Sequence, residues 1–295
     1  VYVLILPAFG LFSEVVSTFS RKAIASYKSA VWGMIGVSSL ALSVWLHHFF
    51  TMGAGADVNS FFGLMTMLIA IPITALVFIW IATMYKGNIR FDTPMLWFLG
   101  FVSIFAIGGI TGVMLAVPPA DFQLHNSLFL VAHFHSTVIG GVLFGVFCAL
   151  SYWFPKFTGF RLNERIGRYA FWCWLIGFCL SFIPMYILGF MGASRRLDHY
   201  EASTGWQPFF ILMLIGGIVI AIGVALQLAQ ILASFIEKKR LRTTADPWDG
   251  RSLEWSVDSP PPFYNFTTIP HVSTRDAYWQ NKRHIKPTKA KYEDI

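Results

Sequence analysis

Two histidines, His133 and His135, stand two residues apart in the pentapeptide Ala132-His133-Phe134-His135-Ser136, inside an otherwise apolar stretch from Leu128 to Trp153. Residues two apart on a helix point about 200° from one another, at about 100° per residue. One helix would therefore present an imidazole on each of two opposite faces. A neutral imidazole nitrogen is a common metal and haem ligand, and a polar group in a lipid-embedded segment is costly without a partner. The competing reading is a pair of histidines that bond neighbouring helices.

A second pair, His47-His48, lies at the outer end of an earlier apolar run, just before Thr51-Met52-Gly53-Ala54-Gly55. Adjacent side chains on a regular helix diverge by about 100°, so both can meet one metal only where the helix loosens, and the glycines after them are compatible with that. The alternative is an interfacial pair facing lipid headgroups. Arg195-Arg196 falls at the end of another run in the same layer. Guanidinium forks bind carboxylates bidentately, although arginines also answer lipid phosphates. Asp121 and His125 add hydrogen-bonding groups at that surface, and Tyr2, alone, reads as packing or an interface anchor.

The elements that position these residues follow from composition. Hydrophobic residues make up 56% of the 295 and charged residues 13%, with a mean hydropathy of +0.60; these values predict an all-α, multi-span membrane bundle. Runs long enough to cross a hydrocarbon core of roughly 30 Å occur at about Ala30 to Phe50, Phe61 to Tyr85, Pro94 to Val117, Leu128 to Trp153, Ala170 to Met191 and Pro208 to Ile236. With Val1 to Phe19, read as a helix entered in mid-course and not as a signal peptide, that makes about seven spans, the first partial. Cys148, Cys173 and Cys179 all fall in apolar runs and give no disulfide framework.

The connections alternate in charge. Arg21, Lys22 and Lys28, then Lys86 and Arg90, then Lys156, Arg161, Arg165 and Arg168, then Lys238, Lys239, Arg240 and Arg242 fall on one side, whereas the opposite connections hold only Arg195 and Arg196. The positive-inside rule makes the basic side cytoplasmic. The net charge of +7 is then mostly a topology signal, and nothing in its arrangement supports nucleic-acid binding. The organisation expected is a transmembrane bundle over 1–237 and a polar, Pro-containing, extended cytoplasmic tail over 238–295, with Ser259-Pro260-Pro261-Pro262 within it. Small residues, Gly108, Gly109, Gly140, Gly141 and Gly145, are expected to set helix packing, and the many phenylalanines to face lipid.

Several stretches together resemble subunit I of the haem-copper respiratory oxidases, most closely the cytochrome bo-type ubiquinol oxidases. They are Val1-Tyr2-Val3-Leu4-Ile5-Leu6-Pro7 with Phe12-Ser13-Glu14, Trp45-Leu46-His47-His48-Phe49-Phe50-Thr51-Met52-Gly53, and Ala120-Asp121-Phe122-Gln123-Leu124-His125-Asn126. Ala132-His133-Phe134-His135, Ser194-Arg195-Arg196-Leu197, Asp246-Pro247-Trp248, Leu253-Glu254-Trp255 and the triple proline complete them, in the family's order.

The resemblance implies that His47 and His48 are two of three copper ligands of an oxygen-reducing centre, His133 the axial ligand of the high-spin haem facing that copper, and His135 one axial ligand of the low-spin haem. It implies that Tyr2 is the tyrosine joined to the third copper ligand, supplying an electron and a proton when the O–O bond breaks. Arg195 and Arg196 become the haem-propionate partners, with Asp121 and His125 nearby. The activity implied is oxidation of ubiquinol and reduction of O2 to water coupled to proton translocation. The cofactors implied are two haems, of type b or o, and copper; the partners are subunits II, III and IV in a bacterial inner membrane. The readings that compete with it are a cytochrome c oxidase subunit I and a redox-inactive transporter whose histidines relay protons.

Three departures from the family pattern bear on that expectation. The family has Gly-His-Pro-Glu directly before the position of Val1, so the third copper ligand, a proton-gating glutamate, the second low-spin haem ligand and the quinol-binding residues are expected upstream, and two further spans downstream of Ile295. Ile73 and Leu76 stand where the family places a threonine and the lysine of one proton pathway. Asn126 follows His125 where cytochrome c oxidases place an aspartate that helps bind magnesium, and Ser194 replaces a proline before Arg195; both favour the quinol branch.

Overall fold

A computed structural model describes residues 2–285; the last ten residues of the polar segment, and Val1 of the first motif, lie outside it. Its helices are α1 (Tyr2–Ser20), α2 (Tyr27–Ala41), α3 (Ala56–Met84), α4 (Thr93–Leu115), α5 (Pro118–Leu124), α6 (Leu128–Thr137), α7 (Phe144–Thr158), α8 (Glu164–Phe190), α9 (Gln207–Ile236) and α10 (Ala277–Ile285). No β-strand occurs among the described residues. Seven helical units are long and apolar enough to cross a membrane: α1, Tyr27–Met52, α3, α4, Leu128–Thr158, α8 and α9. They match the seven runs expected from the sequence.

Local signals explain where the helices start. Ser26, Ser127 and Asn163 accept the backbone N–H groups of Ser29, Phe129 and Ile166, satisfying donors the helix leaves open. Proline occupies the first turn of α4, α5 and α9, where its missing N–H costs nothing. After Ala41 the second span tightens into a 3-10 turn, Trp45–Met52, with Phe49 off helical geometry at φ −122° and ψ 16°. Gly53 ends it with φ 84°. The fifth span widens into a π-helical turn, Val138–Leu143, between α6 and α7.

Small residues govern that widening. A Cβ on Gly140 would come 2.6 Å from Ile104 of α4, and one on Gly141 would come 2.7 Å from Ile5 of α1. Three helices thus meet closely beneath the two-histidine segment, as expected where packing replaces the hydrophobic drive. Gly108 and Gly145 serve the same end against Ser136 and Ala8. Gly109 does not: its face is open, because one of two adjacent helical residues must turn away from the neighbour its partner touches.

The phenylalanines correct the expectation more sharply. Phe9, Phe12, Phe19, Phe98, Phe101 and Phe144 are fully buried around Trp80 and Trp97, with Phe12 stacked on Phe101 at 4.0 Å between ring centres. Many others do face outward, Phe78, Phe157 and Phe235 among them. Interdigitating rings fill the space between α1, α3 and α4 because edge-to-face contacts add attraction beyond area burial.

The polar segment after α9 does not run free from the bundle. Trp248 and Trp255 are buried, and Trp248 Nε1 donates to the Tyr152 carbonyl at 2.8 Å. Lys156 Nζ donates to the carbonyls of Ala245, Val257 and Asp258 at 3.2, 2.8 and 3.3 Å. Arg161 donates to the Pro247 carbonyl and lies over the Trp248 ring, 4.3 Å from its centre. Charges that the sequence shows only as a topology signal therefore also tie this segment across the basic end of the bundle.

Candidate redox site at the histidine end

The four imidazoles predicted as ligands come from two elements, the 3-10 turn and α6, at the end of the bundle opposite the basic connections. His47 and His48 lie in the 3-10 turn, where the loosened helix brings their rings to 4.4 Å between centres. His133 on α6 lies within electrostatic reach of both. His135 leaves α6 on the other side and stacks on Phe182 of α8 at 4.6 Å. The opposite-face arrangement expected from their spacing is thus present, one ring toward α4 and the turn, the other toward α8.

Hydrogen-bond acceptors fix which nitrogen each ring presents. His135 Nδ1 is 2.8 Å from the Val131 carbonyl, which only accepts, so this nitrogen carries the proton. His47 Nδ1 is 3.0 Å from Thr66 Oγ1, and the Thr66 hydroxyl proton is already committed to the Phe62 carbonyl at 2.6 Å. Thr66 must therefore accept. The same holds for His133: its Nδ1 lies 3.2 Å from Thr111 Oγ1, whose proton faces the Ile107 and Gly108 carbonyls at 2.8 and 3.1 Å. In all three rings Nδ1 lies against an oxygen of the chain's own, which leaves Nε2 for a ligand.

Around His133 the support extends further. Tyr186 on α8 places its hydroxyl 3.1 Å from Thr111 Oγ1 and 2.9 Å from Ser136 Oγ, while Ser136 donates to the Ala132 carbonyl at 2.8 Å. Gly112 lets the imidazole lie flat against α4, since a Cβ there would be 2.8 Å from His133 Cε1. His48 makes no such bond among the described residues beyond its ring contact with His47 and is exposed.

The remaining predicted residues frame this layer. Asp121 on α5 and His125 at its C-terminal cap pair at 2.7 Å, Oδ2 to Nδ1, with Asp121 buried. Burial raises the Asp121 carboxyl above its ordinary value, and the hydrogen bond from His125 opposes that rise. Arg195 donates to Asn126 Oδ1 at 2.9 Å from its side chain and to the Asn126 carbonyl at 2.8 Å from its backbone; its Nε is buried without a partner among the described residues. Arg196 sits exposed beside it with φ 66°. Tyr2 is half-buried against the main core. The contacts of Ile5 with Gly141 and Ala8 with Gly145 set it about one and a half turns deeper than His133. Among the described residues, no three His, Cys, Asp or Glu side chains converge on a common point.

The family model described as "Cytochrome C and Quinol oxidase polypeptide I" matches residues 1–219. The chain belongs to that family. Among similar members, "Probable cytochrome c oxidase subunit 1" of Bradyrhizobium diazoefficiens is 54% identical over 287 residues, covering 97% of this chain and 43% of the relative. "Cytochrome bo(3) ubiquinol oxidase subunit 1" of Buchnera aphidicola is 54% identical over 283 residues, covering 96% and 43%. "Ubiquinol oxidase subunit 1" of Acetobacter aceti is 50% identical over 301 residues, covering 100% and 45%. The chain thus spans less than half the length of these curated relatives. Among solved structures, a heme-copper terminal oxidase dimer superposes with a TM-score of 0.70 at 23% identity, covering 79% of this chain and 46% of the other; that likeness concerns the fold.

As an oxidase polypeptide I member the chain is a multi-pass membrane protein. Sequence reasoning missed the groups that hold its imidazoles: Thr66, Thr111, Tyr186 and Ser136. A signal existed in each case, a lone hydroxyl in an apolar span, but such hydroxyls are common because they can bond the preceding turn. Only the tertiary pairing distinguishes these from the rest.

Proposed function

We propose that this chain is part of the catalytic subunit of a haem-copper terminal oxidase, which oxidises ubiquinol and reduces O2 to water, coupled to proton translocation. The reading rests on the three rings that offer Nε2 lone pairs while Nδ1–H is held. That is the state metal and haem ligation requires, and outer hydrogen bonds of this kind orient ligating imidazoles. A proton-relaying transporter would gain nothing from fixing the same tautomer three times.

In this reading His47 and His48 bind copper together with a ligand from elsewhere in the complete subunit, His133 holds the high-spin haem and His135 the low-spin haem, both of type b or o. Once bound, the two haems and the copper supply electron transfer and oxygen binding. The chain's own residues orient, neutralise and exclude water. Thr66 and Thr111 hold the rings in register, and Phe182 backs His135. Arg195 and Arg196 neutralise propionate carboxylates, toward which the unpartnered Arg195 Nε is suited. Asp121 and His125 complete that outer layer. Tyr2 is the residue placed to yield a proton and an electron to the oxygen chemistry.

Asn126 supports a quinol as the electron donor. Its carbonyl and side-chain oxygens are both taken up by Arg195, so the position serves arginine placement where a magnesium-binding carboxylate would serve the cytochrome c branch. Relatives of equal identity carry both kinds of name, and Asn126 with Ser194 favours ubiquinol. The partners are subunits II, III and IV, and the membrane is the bacterial inner membrane with the basic end cytoplasmic. Residues 1–237 belong to the catalytic bundle and 238–295 to the polar, Pro-containing segment, whose described part packs on the cytoplasmic end.

Proton delivery departs from the family's usual route. Leu76 is fully buried and lies against Gly33 of α2, 3.1 Å from where a Cβ would stand, so an apolar contact occupies the lysine position. In a complete oxidase, Leu76→Lys is expected to alter turnover; unchanged turnover contradicts the idea that proton supply for the reductive steps is slow or runs elsewhere.

A reduced-minus-oxidised optical spectrum of membranes carrying the complete subunit, with and without carbon monoxide, tests the function. A low-spin band together with a carbon-monoxide-sensitive haem is expected. Verified expression with no haem signal contradicts it. Oxygen uptake supported by ubiquinol and not by reduced cytochrome c tests the donor.

A further inference from the structure

At the basic end, far from the imidazoles, Glu14 of α1 and Glu254 of the polar segment approach the same hydroxyl. Ser252 Oγ stands 2.9 Å from Glu14 Oε1 and 2.9 Å from Glu254 Oε1. A hydroxyl carries one proton, and an ionised carboxylate only accepts. Ser252 can donate to one of the two. The other contact is a hydrogen bond only if that carboxyl brings its own proton and donates to the serine oxygen. With both carboxyls ionised, one would face a lone pair at 2.9 Å beside a second negative charge, at the end of a lipid-embedded helix where such charge is costly.

The neighbouring groups do not remove this requirement. Tyr152 OH and Thr18 Oγ1 lie 3.2 and 3.4 Å from the same Glu14 oxygen and 3.2 Å from each other. Trp153 Nε1 lies 3.2 Å from Glu254 Oε1. These donors settle the outer sides of the two carboxyls and leave the serine contact as it is. The cations facing the pair are Arg251 and Lys156: Arg251 Nη2 pairs with Asp276 at 2.7 Å while its Nη1 is buried without a hydrogen-bond partner among the described residues, Lys156 donates to three backbone carbonyls, and neither cation lies within hydrogen-bond distance of the serine contact.

We infer that Glu14 and Glu254 share one proton across Ser252, making a proton-binding site between α1, α7 and the polar segment. The ligand is a proton, and the site doubles as the fastener of the Leu253–Ser256 turn. Loss of the proton sets two like charges on one hydroxyl and weakens the hold of that turn on α1. The titration belongs to the pair and not to either residue alone. Nothing in it depends on oxygen chemistry, so it stands apart from the catalytic reading.

Infrared spectroscopy of the complete oxidase in membranes at neutral pH tests the site, comparing the native protein with Glu14→Gln and Glu254→Gln. The native spectrum should contain a carbonyl band of a neutral carboxylic acid that moves in D2O. Each variant should lose it, because the glutamine amide donates to Ser252 and lets Ser252 donate to the remaining carboxylate. Glu254 lies outside the spans, so its variant decides alone if Glu14→Gln fails to assemble. A difference spectrum against Glu254→Gln with no neutral-acid band overturns the inference.

Discussion

Thr111 Oγ1 lies 3.2 Å from His133 Nδ1 while its own proton is bound to the Ile107 carbonyl at 2.8 Å. A span residue with no charge thereby dictates the tautomer of a histidine on the neighbouring helix. Thr111→Val keeps the shape and removes the acceptor. In the complete subunit it is expected to lower haem affinity at His133 roughly 10- to 100-fold, the usual cost of losing an outer hydrogen bond to a ligating imidazole. Thr66→Val should do the same for copper at His47. Haem and copper content per subunit check both; unchanged occupancy in the two variants contradicts the orienting role.

Gly112 supplies the steric half of the same arrangement. In Gly112→Ala the new methyl would stand 2.8 Å from His133 Cε1, closer than carbon atoms pack, so the ring must swing off α4. The expected result is loss of the carbon-monoxide-sensitive haem signal with the low-spin signal kept, because His135 leaves the helix on the other face. Equal loss of both signals would point to general misassembly.

Asp121 gives a pH signature outside the spans. Burial holds its carboxyl above the ordinary value of 3.8, so the folded state binds this proton more tightly than the unfolded one. The stabilisation is fully present below the ordinary value and is lost as pH rises through the raised one. Thermal unfolding of the purified protein across the acid range should show that slope, and Asp121→Asn should flatten it. A slope identical in both proteins contradicts the assignment.

The polar segment is held by few side chains. Trp255 is fully buried and Lys156 lies over its ring, 5.2 Å from the centre. Trp255→Ala is expected to remove about 3–5 kcal/mol of local packing and open residues 243–260 to protease, with the spans still protected by lipid. Limited proteolysis of membranes, followed by mass mapping of the cuts, checks this.

Much of this architecture is legible in the sequence. The seven spans follow from run length, and the two faces served by His133 and His135 follow from helical geometry. The glycines after His47-His48 are compatible with the loosened helix found there. Other features were not legible because they are set by pairing across helices. Phe9, Phe12 and Phe101 read the same in sequence as the lipid-facing Phe78, and only a neighbouring span distinguishes them. The π-helical turn at Val138–Leu143 depends on Ile5 and Ile104 filling the space left by two glycines. Lys156 and Arg161 obey the charge rule for membrane topology, which conceals that they also bind the polar segment.

The central claim, that the chain presents Nε2 of His133 and His135 to two different haems, is tested most directly by optical spectra of the complete oxidase carrying His133→Ala or His135→Ala. The carbon-monoxide-sensitive signal should vanish in the first with the low-spin signal retained, and the low-spin signal should vanish in the second with carbon monoxide binding retained. Both signals surviving in either variant, or an expressed native protein with no haem signal, would contradict the account.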